Sequence, residues 1–68
     1  MTDTLELELA IKRAGFTKKE IADKLGISPM GLYQKINNVT EFKASEIALL
    51  YKLLNLKSFE EQQKIFFN

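Results

Sequence analysis

The chain has 68 residues, a net charge of +1, and neither cysteine nor histidine. That length predicts one domain, residues 1–68, burying roughly 60% of the unfolded chain's surface and leaving no room for a sensor domain. The composition excludes disulfides, the commonest nitrogen and sulfur metal sites and the usual neutral-pH proton shuttle, so no cofactor or metal is expected and a reducing cytoplasm fits.

A first helix is predicted over about residues 3 to 14. Thr4 to Leu9 alternates apolar and acidic residues as a strand would, but Leu7, Ala10, Ile11 and Ala14 continue at helical spacing. Asp3 or Thr4 can begin this helix, and Gly15 ends it. The opening MTDTLELELA is acidic where a signal peptide would be basic, and no apolar run approaches the roughly 18 residues of a membrane span. The chain as written is therefore expected to be the mature protein, with no membrane partner.

Residues 17 to 36, TKKEIADKLGISPMGLYQKI, carry the strongest signal. Thr17 is a good N-cap, and Glu20 three residues later can close a capping box, opening a second helix over about 18 to 25. Phe16 precedes the cap, where it can staple onto Ile21. Gly26 follows Leu25 at the place where a helix needs a left-handed residue, and the chain turns there. Ser28 can cap a third helix and Pro29 suits its first position, giving a helix over about 29 to 36. Two short helices around a glycine corner, the second with a polar outer face, form the pattern of a DNA-reading helix-turn-helix. Ala22 is small enough to let the two helices cross closely.

Asn37 to Thr40 lacks apolar periodicity and predicts a loop to about Phe42, which plugs it into the core. Ala44 to Leu54 is apolar over a wide arc, with Ile47, Leu50 and Leu54 on one line and Leu49 and Leu53 beside it, so this fourth helix is expected to be mostly buried. Asn55 can stop it and Leu56 can fold back on its last turn. Ser58 and Glu61 form another capping box, opening a fifth helix with Phe59, Gln62 or Gln63, and Phe66 on one side. The sequence predicts an all-α fold without repeats or linkers.

At about 100° per residue, Leu32 and Ile36 share one side of the third helix, while Met30, Gln34 and Asn37 lie opposite and Tyr33 flanks them. The free face would enter the major groove, making Pro29, Met30, Tyr33 and Gln34 the candidate base readers. Gln34 can pair bidentately with adenine, and Met30 or Pro29 can pack on a thymine methyl. Methionine and tyrosine at this spacing also suit core filling. Gly31, inside a helix, costs about 1 kcal/mol relative to alanine, and close approach to a neighbour or simple surface neutrality are both open readings.

Charge is unevenly placed. Between Lys12 and Lys43 there are seven basic residues against three acidic ones, an excess of +4, and the remainder carries −3. Thr17, Lys18, Lys19, Lys35, Asn37, Asn38 and Lys43 are the candidate phosphate contacts, since helix N-termini and basic side chains both favour anions. Any one lysine could instead be simply solvated, so the group carries the expectation.

These residues resemble the phage Cro and repressor-type (Xre-like) helix-turn-helix family over nearly the whole chain. Thr17, Ala22, Gly26, Ile27, Ser28 and Leu32 fall on its capping, small, corner and core positions, and LYQKIN, EFKASEI and the closing IFF look like a small group associated with phages and prophages of Gram-positive bacteria. The resemblance implies a compact five-helix lambda-repressor-like domain with the helix-turn-helix at helices 2 and 3, repressing transcription from a palindromic operator. It also implies that Lys18, Pro29, Met30, Tyr33 and Gln34 face DNA. Two positions depart from the family pattern: Lys18 stands where glutamine is common, and Asn37-Asn38 where Asn-Gly is common.

No nucleophile-base pair or metal cluster suggests an enzyme. A helical protein-binding module, antitoxin-like or antirepressor-binding, is the rival to DNA binding, motivated by Phe66 and Phe67. Those two residues could equally complete the core or form a homodimer contact. A two-fold dimer would set two recognition helices about 34 Å apart, one DNA turn.

Overall fold

A computed structural model describes residues 1–67 and contains five helices: α1 Thr4–Arg13, α2 Lys18–Leu25, α3 Pro29–Ile36, α4 Ala44–Leu53 and α5 Phe59–Phe66. There is no strand among the described residues.

The helix starts follow their capping side chains. Asp3, rather than Thr4, caps α1 by accepting the Glu6 amide at 3.0 Å, and Thr17 and Glu20 bond reciprocally at the start of α2. Ser28 accepts the Gly31 amide at 3.0 Å with Pro29 first in α3. At α5 only the Ser58 half of the expected box closes, by a looser 3.4 Å bond from the Glu61 amide.

The ends of α1 to α4 share one device. Gly15, Gly26, Asn38 and Asn55 all take positive φ, between 57° and 82°. In each case the next residue donates its N–H five residues back: Phe16 to Ile11, Ile27 to Ala22, Val39 to Gln34 and Leu56 to Tyr51. This is the Schellman closure, which satisfies carbonyls that the helix leaves unpaired. Phe16, Ile27 and Leu56 then pack on the core, so those three turns are held on both their polar and their apolar sides, whereas Val39 is exposed.

Leu7, Ile21, Leu32, Ile36 and Leu50, one or two from each of α1 to α4, are fully buried at the centre. α2 packs on α3 and α1 on α5. Phe42 does anchor its loop, meeting Phe66 edge-on at 5.8 Å, and Tyr51 meets the same ring at 5.8 Å.

One packing expectation needs correction. α4 is half-exposed, not mostly buried: Leu50 and, just beyond its end, Leu54 are buried, Ile47, Leu49 and Leu53 only partly, and Ala44 and Ala48 face solvent. A chain this small has too few helices to cover a wide apolar arc. In α5 the buried pair is Ile65 and Phe66, while Phe59 is exposed. Phe59 sits in the first turn of α5, whose last turn is tied to α1 by Lys64 to Glu6 at 3.5 Å.

Candidate nucleic-acid interface

The corner between α2 and α3 is built from Gly26, Ile27 and Ser28. Gly26 at φ 71° reverses the chain without a side-chain clash, Ile27 packs inward, and Ser28 restarts the helix. Ala22 is fully buried beneath this corner, which allows the close helix crossing.

α3 is thereby divided lengthwise. Leu32 and Ile36 are 1% exposed, whereas Met30 is 64% and Tyr33 60% exposed, which removes core filling as an account of the latter two. Pro29 is also exposed, and Gln34 is half-buried beside them. The structure thus brings Pro29, Met30, Tyr33 and Gln34 onto one accessible face. At Gly31 a Cβ would lie 3.2 Å from the Ser28 hydroxyl oxygen, close enough to press on the cap.

The candidate phosphate contacts separate into two groups. Lys18, Lys19 and Lys43 are exposed, and Lys18 pairs with Glu8 of α1 at 2.5 Å. Thr17 lies with the two lysines at the start of α2, but its hydroxyl and amide are engaged by Glu20. Those bonds, the backbone one foremost, hold the Glu20 carboxyl below its ordinary pKa. Lys18 and Lys19 remain the exposed candidate contacts at this end.

Lys35 turns inward, while Asn37 and Asn38 are exposed but hold partners within the protein. The Lys35 ammonium reaches Glu46 at 2.7 Å and the Glu41 carbonyl at 3.3 Å, and lies 6.0 Å from the centre of the Phe42 ring. Both side chains of the Lys35–Glu46 pair are nearly out of solvent, so Lys35 is not presented to a phosphate. The Asn37 amide donates to the Tyr33 carbonyl at 2.9 Å, and both polar atoms of the Asn38 side chain are held by Thr2. Long-range partners, invisible to local spacing, therefore engage the polar groups of Lys35 and Asn38 within the protein. Glu8, Glu46 and Thr2 were not singled out in the sequence for the same reason.

The model of the Fis family of bacterial regulatory proteins matches residues 4–38, just over half of the chain. The chain belongs to the Fis family. This is a helix-turn-helix DNA-binding family, and the matched span contains α1, α2, α3 and the left-handed Asn38 that closes α3. The Fis-family match thus covers every candidate reader and the exposed lysines of α2, whereas α4 and α5 lie beyond it. No curated protein and no solved structure matches.

Proposed function

We propose that this protein is a sequence-specific double-stranded DNA-binding transcriptional regulator that inserts α3 into the major groove. The observation that carries the reading is the exposure of Met30 and Tyr33, beside Pro29 and Gln34, on a helix whose other side is buried. Large apolar side chains held in solvent on a rigid helix suit contact with base edges and thymine methyls. Lys18 and Lys19, one helix away, supply the sequence-independent attraction.

The finer reading is a Cro/repressor-like protein of phage or prophage type, acting in the cytoplasm as a homodimer on a palindromic operator. Its support is the helix order, with the helix-turn-helix at α2 and α3, together with the small number of readers in one copy. Four side chains specify few base pairs, and a two-fold pair doubles that number. Binding, rather than catalysis, is the activity expected from these residues.

A protein-binding module is favoured by a different observation, the exposure of Phe59 and Phe67 on and just after α5. Binding to duplex DNA across a salt series separates the two readings. The DNA reading expects affinity that falls steeply with salt and prefers a selected sequence to random duplex. Absent or salt-insensitive binding favours the module.

A further inference from the structure

The N-terminal segment runs across the ends of two helices and supplies donors to carbonyls left open there. The Thr4 hydroxyl donates to the Ile36 carbonyl in the last turn of α3 at 2.8 Å. The Asp3 amide donates to the Ile65 carbonyl of α5 at 2.7 Å, and the terminal ammonium lies 3.5 Å from the Phe66 carbonyl. Between these attachments, the Thr2 N–H donates to Asn38 Oδ1 at 2.9 Å, while Asn38 Nδ2 donates to the Thr2 carbonyl at 2.8 Å.

The last pair has the geometry of two strands facing each other, with the side-chain amide standing in for a peptide group. It matches one donor and one acceptor on each side. Asn38 is also the residue that ends α3, in a left-handed backbone at φ 63°. One residue therefore both terminates the reading helix and fastens it to the segment that is bonded to α5. The base-reading side chains occupy the other end and the outer face of the same short helix, so a tilt about its C-terminal end moves them all together. Interactions of this kind matter because misplacement by about an ångström is costly to recognition.

We propose that Asn38 is a positioning residue for DNA recognition: its side chain clamps the Met1–Thr4 segment across the C-terminal end of α3 and so sets the angle at which Pro29, Met30, Tyr33 and Gln34 are presented. The proposal rests on the DNA-binding reading above.

Asn38→Gly isolates the clamp, because glycine adopts positive φ without strain and keeps the Schellman closure while deleting both side-chain bonds. Thr2→Pro attacks the same clamp from the opposite side by removing the N–H donor. Each variant is measured against wild type for thermal unfolding, for affinity to a duplex selected by the wild-type protein from a random-sequence pool, and for affinity to unselected random duplex. The clamp predicts that both variants fold and that affinity for the selected duplex falls several-fold more than affinity for random duplex. The slope of affinity against salt should be unchanged, and the double variant should lose no more than either single one. An unchanged ratio of selected to random affinity in both variants overturns the proposal. So does an equal fall on both duplexes in Asn38→Gly, which is the signature of a phosphate contact. Failure of the wild-type protein to bind either duplex overturns the DNA reading itself, a result distinguishable from a clamp without effect.

Discussion

Lys35 and Glu46 join at 2.7 Å with both side chains nearly out of solvent, tying α3 to the first turn of α4. The same Glu46 oxygen accepts the Lys43 amide at 2.8 Å, so one carboxylate holds α3, the loop and the start of α4 together. Replacing Lys35 with methionine keeps the stem but strands a carboxylate that is largely buried. Breaking fully buried pairs costs about 3–5 kcal/mol, and the residual exposure here lowers the expectation to about 2 kcal/mol. Urea unfolding measures the loss. The salt slope of DNA binding should change little in this variant, because Lys35 faces inward.

Acid should weaken this junction in a defined window. Burial pushes the Glu46 carboxyl up, but the Lys35 hydrogen bond, the Lys43 amide and the two lysine charges outweigh it, leaving the pKa below the ordinary 4.5. A carboxyl lowered on folding stabilises the folded state above its ordinary pKa and loses that contribution as pH falls through the lower folded value. Wild type should therefore exceed Glu46→Gln in stability at neutral pH, and the gap should close on acidification below pH 4.5. Denaturation midpoints collected from neutral pH downward read this directly, and a gap that stays constant into acid would refute the assignment.

The Lys18–Glu8 pair predicts the opposite balance of effects. Both side chains are substantially exposed, so the pair contributes at most about 1 kcal/mol to stability. Glu8→Gln should leave unfolding nearly unchanged while releasing Lys18 for phosphate, raising affinity for every duplex by a few-fold. Lys18→Ala should lower affinity uniformly and reduce the salt slope by about 1. Parallel titrations of selected and random duplex at several salt concentrations provide the readout.

Gly26 and Gly31 should respond differently to alanine. At Gly26 the left-handed backbone costs an L side chain about 1–2 kcal/mol, and Gly26→Ala should lose stability on that order. At Gly31 the gain in helix propensity, about 1 kcal/mol, opposes pressure from the new Cβ on the Ser28 cap, itself worth about 1 kcal/mol. Gly31→Ala should be close to neutral in thermal unfolding, and a loss as large as that of Gly26→Ala would contradict this account.

What was legible in the sequence was local. Thr17, Gly26, Ser28 and Pro29 signal their helix boundaries within three or four residues, and α2 and α3 fall where those residues predict. The division of α3 into a buried Leu32–Ile36 side and an exposed side carrying Met30 and Tyr33 was equally available, because it follows from helical periodicity alone. What was not legible was pairing at a distance: Lys35 finds Glu46, 11 residues on, and Asn38 finds Thr2, 36 residues back. Which residues of α5 are buried, Ile65 and Phe66 but not Phe59, depends on where α1 lies, and no spacing within α5 carries that information.

Gln34 gives the most direct test that the outer face of α3 reads bases. Binding of wild type and Gln34→Ala to the selected duplex and to random duplex, each over a salt series, compares discrimination with general attraction. Loss of a bidentate pair should reduce the preference for the selected duplex by about 1–3 kcal/mol, leaving random-duplex affinity and the salt slope unchanged. Equal discrimination by the two proteins, or binding by wild type that ignores salt, would contradict it.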